Sequence, residues 1–426
     1  MRILFVTPYP PSRIRVRGYG FLTQLHRTHE VTVITQCTSE RELADVESLR
    51  FMGFEVLVVQ ESKRSAAFRG GLALFSSSPL QVAYARSIRY TQAVQDLCAK
   101  RNFDVVHVEH LRGIASMERI AHTYPLVWDS VDCISLLCKH TIAAGPNLSV
   151  RAVALLEYNR TRRYEAKLLS LLHHIVITSE RDRQALIDLH CLLTNDKISR
   201  DEVLCGDISV LPNGVDLEYF QPLQQERRRF NLVFSGKMSY HANVATALYL
   251  YHHIMPLIWQ HRPEATLTLV GSRPPKAIQR LASDPRIEVT GYVDDIRSYV
   301  GRAEVMLSPM VYSVGIQNKV LEAMAMGTPV VVAAEAAAAL KAQPGRDLLV
   351  ANSAQEFVEA TLNIMDDAQL HTTLRQFGRK YVEQQHDWRV VTGRLVNIYE
   401  RAIASHTAGS IKDTTPSLVF SIPFYS

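Results

Sequence analysis

Two short segments carry side chains whose types and spacing suit gripping an anion. In SPMVYSVGIQNKVLEAMAMGTPVVV (308–332), a strand ends at Ser308-Pro309, a loop with Gly315 follows, and a helix begins near Gln317. That helix stops at Gly327, a natural C-cap residue, before Thr328-Pro329 open the next strand. Asn318, Lys319 and Glu322 are three and four residues apart and so share one face of the first turns. The free N–H groups at a helix start favour an anion. A lysine beside them suits a diphosphate, and a carboxylate one turn deeper suits paired ribose hydroxyls. The alternative is an i,i+3 Lys–Glu surface pair on an ordinary helix. The second segment is VFSGKMSYHANVATALYL (233–250), where a strand ends at Gly236-Lys237 and a helix follows near Asn243. Its glycine turn and ammonium group would close on the same diphosphate from the other side. Each charge-assisted contact is worth about 1.5–3 kcal/mol. A surface lysine after a strand is the alternative.

Other strand ends hold weaker candidates. TGYVDD (290–295) places Tyr292 and Val293 where a base could lie, although an ordinary turn fits equally. PYPPSRIRVRGYG (8–20) is expected as a long loop carrying Arg15, Arg17, Gly18 and Gly20 toward a cleft; it lacks the third glycine of a dinucleotide fingerprint. HVEH (107–110) and VWDSVD (127–132) bring His107, Glu109, His110, Asp129 and Asp132 to strand ends, with no metal-specific spacing. The pairs His173-His174 and His252-His253 read as structural.

The elements needed to position these residues recur in two series. Short β-rich apolar runs at 2–7, 30–35, 54–59, 103–110, 125–130, 174–179 and 208–214 alternate with helix-like stretches. The alternation restarts at 231–237, 265–271, 286–292, 303–309, 328–333 and 347–352. This pattern predicts an α/β protein with two Rossmann-like, doubly wound parallel sheets facing a central cleft. The expected division is an N-terminal lobe at 1–210, a linker at 211–229 and a C-terminal lobe at 230–385. A final helix at 386–404 and a tail at 405–426 would complete the chain.

A chain of 426 residues is too long for one ordinary core, and 47% apolar with 21% charged residues is a globular composition. The net charge of +5, with only the short basic clusters RIRVRG (13–18) and ERRRF (226–230), argues against nucleic acid as a partner. The six cysteines are scattered, without a CxxC pair, and read as reduced thiols of a cytoplasmic protein. No window reaches 18 uninterrupted apolar residues, so contact with the inner face of a membrane would be peripheral.

With these residues in place, the chain resembles retaining glycosyltransferase family 4, of GT-B fold, and most of all its exopolysaccharide-type bacterial sugar transferases. GIQNKVLEAMAMGTPVVV is similar to that group's donor-site signature. VLPNGVDLEYFQP, FSGKMSYHANV, LVGSRPP, VTGYVDDIRSYVGRAEVMLSP and HDWRVVTGRL fall in the family's order over about 209–404. The resemblance implies that Glu322 holds the donor ribose and that Gly315, Ile316, Gln317, Asn318 and Lys319 surround the diphosphate and sugar. Gly236, Lys237 and Asn243 would oppose them, with Tyr292 and Val293 framing the base. Arg17, Gly18, His110, Asp129 and Asp132 would face the acceptor. Three positions depart from the family pattern. Val314 stands where a glutamate is frequent; Tyr240, His241 and Asn243 stand where a second clamp lysine is usual; Asp129 or Asp132 replaces a histidine.

The same resemblance implies transfer from a nucleotide-diphosphate sugar, UDP- or GDP-linked, to a sugar or lipid-linked hydroxyl with retention of configuration. It implies neither cofactor nor metal. Lys237 and Lys319 would stabilise the leaving diphosphate, and Asp132 would position the acceptor. Two alternatives stay open: a nucleotide-sugar epimerase of the same architecture, and a non-catalytic nucleotide-sugar-binding protein.

Overall fold

The computed structural model describes residues 1–145, 148–194, 207–224, 226–310 and 316–413. The first series of strands is β1 (Arg2–Thr7), β2 (Glu30–Cys37), β3 (Glu55–Gln60), β4 (Val105–Glu109), β5 (Leu126–Val131), β6 (His174–Ile177) and β7 (Asp207–Val210). They form one parallel sheet in the order β3-β2-β1-β4-β5-β6-β7. The second series is β8 (Arg228–Ser235), β9 (Thr266–Val270), β10 (Ile287–Gly291), β11 (Ala303–Ser308), β12 (Val330–Ala333) and β13 (Leu349–Ala351). It forms a second parallel sheet in the order β10-β9-β8-β11-β12-β13. Central strands are buried over nearly their whole length, as continuous Val/Ile/Leu runs require when helices cover both faces.

Each order reverses once, between β1 and β4 and between β8 and β11. At such a switch point the connections leave in opposite directions and open a crevice at the carboxyl ends of the strands. The helices that cover these sheets include α1 (Val16–Leu25), α2 (Ile134–Ala144), α3 (Leu148–Leu171), α4 (His241–Tyr249), α5 (Asn318–Ala325) and α6 (Trp388–Asp413).

Three local expectations change. The segment expected as a loop through residue 20 turns into α1 at Val16, so Arg17, Gly18 and Gly20 are helical. Glycine spacing hid this, because here the glycines serve packing rather than a turn. The last helix does not stop at 404 but continues to Asp413, through a Ser/Thr-containing stretch that its sequence had marked as tail. The helix runs on past Ile403, the last of its residues packed on the first sheet's core, an extent that local propensity alone does not locate. Strand β8 begins at Arg228, two positions inside the expected linker, because Arg228 pairs in register with Ala303.

Helix α6 belongs by packing to the first sheet although it follows the second in sequence. Trp388, Val391, Leu395, Ile398 and Tyr399 join Ile3, Phe5, Phe21 and Val105 in one buried cluster. Two glycines make room for the Trp388 indole. A Cβ on Gly20 would lie 2.1 Å from the ring and one on Gly214 2.5 Å from it. Gly20→Ala is therefore expected to destabilise the protein by about 1–3 kcal/mol through overpacking. Chemical denaturation would read this as a lower midpoint at unchanged slope; a wild-type midpoint would contradict the packing described.

Candidate functional site

The site is built on the ends of β8 and β11, the adjacent strands at the second switch point. Gly236 leaves β8 at φ +153°, and a Cβ there would lie 2.7 Å from the Asn243 amide nitrogen. Only glycine lets the turn pass this close to α4. Asn243 is buried and its amide serves both neighbours. Its Nδ2 donates to the Lys237 carbonyl at 3.0 Å, and its Oδ1 accepts from Lys319 Nζ at 2.6 Å. One side chain thus ties the Gly236-Lys237 turn to the first turn of α5.

Lys319 reaches this position across the Phe234 ring, with Nζ 4.4 Å from the ring centroid. Its ammonium has three N–H groups; one is given to Asn243, and neither of the others meets an oxygen among the described residues. Burial pushes the Lys319 pKa down to about 7, with Glu322 working in the opposite sense. Burial likewise raises Glu322 to about 7, against the attraction of Lys319. Its carboxylate has no side-chain hydrogen bond among the described residues. Ser308 Oγ donates to Gln317 Oε1 at 2.8 Å, fastening the start of α5 to the end of β11. Lys237 is exposed beside this cluster, Ile316 is buried, Val293 packs on the second lobe's core, and Tyr292 stands out in solvent. Gly315 and Val314 lie outside the described residues.

Across the crevice, the structure divides the first-lobe candidates. Arg17 and Asp129, expected at the acceptor, are instead deeply buried and paired at 2.6 Å. Asp129 spends its other oxygen on the Val131 amide, and Arg17 Nη1 donates to the Leu211 carbonyl and to Asn213 Oδ1 at 2.9 Å. A carboxylate and guanidinium this far from water are held by each other, since breaking such a pair costs about 3–5 kcal/mol. They brace the linker rather than line the wall. The second guanidinium nitrogen, Arg17 Nη2, has no hydrogen-bond partner among the described residues. Gly18 abuts Glu109, whose carboxylate would be 2.7 Å from a Cβ at that position.

Glu109 is buried and accepts from Thr7 Oγ1 at 3.1 Å; burial and the charge of Asp129 raise its pKa to about 7. Asp132 is partly exposed and is likewise raised to about 7, by burial first and Asp182 second. Tyr240 of the opposite lobe is raised by burial first and by the charge of Asp132 second. His110 is kept neutral by burial, which lowers it to about 3. His110 and Val131 both have left-handed backbones, at φ +67° and +68°. For a non-glycine residue this stores about 1–3 kcal/mol, the kind of strain that clusters at functional sites. No sequence signal marks either position.

The residue that sequence reasoning missed is Asn213. It falls in the expected linker at 211–229, yet its Nδ2 donates to Asn318 Oδ1 at 3.0 Å. Its carbonyl accepts from His386, whose other nitrogen meets Tyr381. A continuous chain therefore runs Asp129–Arg17–Asn213–Asn318, from the heart of the first lobe to the first residue of α5.

Comparisons with known proteins bear on the fold and on the second lobe. Residues 229–367 match the family model described as glycosyl transferases group 1. A GDP-mannose-dependent monoacylated α-(1-6)-phosphatidylinositol monomannoside mannosyltransferase of Corynebacterium glutamicum is 26% identical over 45% of this chain and 55% of its own length. The chain thus matches little more than half of that relative. An MMP α-(1→4)-mannosyltransferase of Mycolicibacterium hassiacum is 25% identical over 74% of each protein. Among solved structures, sucrose-phosphate synthase of Thermosynechococcus elongatus superposes with a TM-score of 0.67 at 15% identity, covering 95% of this chain and 99% of that one. HepE of Anabaena, in complex with UDP, gives 0.65 at 15% identity, covering 94% and 100%. The fold is that of the GT-B glycosyltransferases.

Burial holds the Lys319 pKa near 7, and a diphosphate bound beside its Nζ would raise it again. Affinity for UDP or GDP is then expected to fall as pH rises above about 7, by up to about tenfold per unit. Calorimetry at pH 8 in buffers of differing ionisation enthalpy should show proton uptake in the wild type and little in Lys319→Met. Equal uptake in both would contradict the assignment.

Proposed function

We propose that this protein is a retaining glycosyltransferase that takes its sugar from a nucleotide-diphosphate donor. The observation that carries the reading is the convergence of Lys237, Asn243, Lys319 and Glu322 at the β8/β11 switch point. The donor diphosphate would lie between the Gly236-Lys237 turn and the start of α5, where N–H groups, the helix dipole and two ammonium groups meet it. Glu322, recessed one turn deeper and with no hydrogen bond to its carboxylate among the described residues, would accept from the ribose hydroxyls. The match to group 1 glycosyltransferases over the same segment supports this placement.

In the proposed reaction an acceptor hydroxyl attacks the anomeric carbon from the face that the diphosphate leaves. The new C–O bond forms as the old one breaks, and the hydroxyl proton passes to a departing phosphate oxygen. No strong base is needed, and no metal is required. Lys237 and Lys319 stabilise the charge that develops on the leaving group, an electrostatic role. Asp132, partly exposed on the facing wall with Tyr240 near it, is assigned to hold the acceptor. UDP- and GDP-sugars are the first donors to try, since HepE is seen with UDP and a mannosyltransferase relative uses GDP-mannose. The acceptor is proposed to be a sugar or lipid-linked hydroxyl in glycoconjugate assembly at the inner face of the membrane.

A thermal-shift screen over UDP-, GDP-, ADP- and TDP-sugars is expected to give one base that raises the melting temperature, because a ligand bound only by the native state stabilises it. With that donor, Lys319→Ala should lower turnover by about 10²–10³-fold while leaving the melting temperature of the free protein nearly unchanged. Wild-type turnover in the variant would count against the mechanism, and sugar inversion without any acceptor would make the protein an epimerase.

A further inference from the structure

Away from the crevice, one surface combines exposed large apolar side chains with uncompensated positive charge. Strand β3 ends at Gln60, and a helix over Lys63–Leu72 and a short turn over Ala73–Phe75 follow. Arg64, Phe68 and Leu72 are spaced four apart along the helix and share its outer face. Ala66 packs inward, while Phe68 is 67% exposed, Leu72 57% and Phe75 93%. Between Glu61 and Asp96 the chain carries Lys63, Arg64, Arg69, Arg86 and Arg89 and no acidic residue.

A second amphipathic element lies against the first. Leu148, Arg151 and Leu155 share a face of α3, with Leu148 84% and Leu155 61% exposed. The two acids of α3, Glu157 and Glu165, are both buried, so the charge this helix presents to water is positive. Arg160 donates to the carbonyls of Ala73 and Leu74 at 2.9 and 2.8 Å, and Glu157 accepts from the Leu80 amide at 2.9 Å. These bonds lock the two elements into one surface. Arg69, Arg86 and Lys167 pair with Glu61 and Glu118, whereas Lys63, Arg64, Arg89, Arg151 and Arg163 have no carboxylate partner among the described residues.

Topology fixes where this surface points. Helix α2 starts just after β5 ends, and Glu165 near the end of α3 accepts from the Ile134 amide at 2.8 Å. The start of α2 is therefore level with the end of α3, and the α2–α3 hairpin projects past the carboxyl ends of the strands. That is the end on which the crevice opens.

We propose that this face, residues 63–75 with the first half of α3, docks on an anionic lipid bilayer. Apolar side chains flanked by Lys and Arg are the pattern that inserts shallowly at a lipid interface while basic groups meet the headgroups. No helix of the described residues is long and apolar enough to cross a membrane, so the contact is peripheral. Docking stands independently of the transfer reaction, and it sets the mouth of the crevice beside the lipid surface.

Co-sedimentation of the full chain with vesicles tests this. Phosphatidylcholine vesicles containing about 30 mol% phosphatidylglycerol should bind the protein, pure phosphatidylcholine vesicles should not, and about 0.5 M salt should release it. Phe68→Ser with Phe75→Ser, and separately Lys63→Glu with Arg64→Glu, should each lower the partition coefficient at least about tenfold. All four positions are exposed, so the melting temperature should not move, which separates lost docking from lost folding. Equal binding to both vesicle types, no binding to either, or unaltered binding by the variants would overturn the proposal. Binding to poly-glutamate but not to vesicles would assign the face to an acidic protein instead.

Discussion

The amide of Asn243 is the constraint on which the site depends. It is short, planar and buried, and it must satisfy a donor on one side and an acceptor on the other. The carbonyl of Lys237 and the ammonium of Lys319 come from segments far apart in sequence, and this one residue fixes their separation. The arrangement also explains the glycine at 236, since any Cβ there would drive the amide away. A lysine held so far from water would ordinarily lose its proton readily; the Phe234 face and Asn243 oxygen limit that cost without neutralising the group. On the proposed function, this is the cation that would meet the diphosphate, since only Asn243 among the described residues gives its Nζ an oxygen.

The second dependency is mechanical. Two lobes joined by a linker are free to rock unless something crosses the crevice. Here Arg17 clasps the linker backbone at Leu211 and hands Asn213 to Asn318, while α6 carries the chain back beneath the first sheet. Asn318 is the first residue of α5, so the orientation of the site's main helix is referenced to a buried ion pair in the opposite lobe. Residues read from sequence as acceptor contacts thereby acquire a positioning role, which their burial demands.

Much of this was legible in advance, for identifiable reasons. Central parallel strands buried on both faces produce continuous apolar runs, so the strands of the described residues stand out, and the alternation with helices gives the two sheets. Lys319 and Glu322 were visible because helical spacing puts them on one face, and Lys237 because it follows a strand. What stayed hidden depends on contacts between distant segments. The start of α1 was masked by two glycines that serve packing, Gly18 against Glu109 and Gly20 against Trp388, a residue more than three hundred positions away. Asn213 carries no local sign of its bond to Asn318. The left-handed backbones at His110 and Val131 contradict the preferences of those residue types, and only tertiary structure can impose them. Asp129 looked like a wall residue because strand ends usually are, whereas a buried arginine claims it.

The most direct measurement is a crystal structure of the protein with UDP or GDP bound. The diphosphate is expected between the Gly236-Lys237 turn and the first turn of α5, with Lys319 Nζ on a phosphate oxygen and the ribose on Glu322. A nucleotide bound elsewhere, or one with its ribose turned away from Glu322, would contradict this placement.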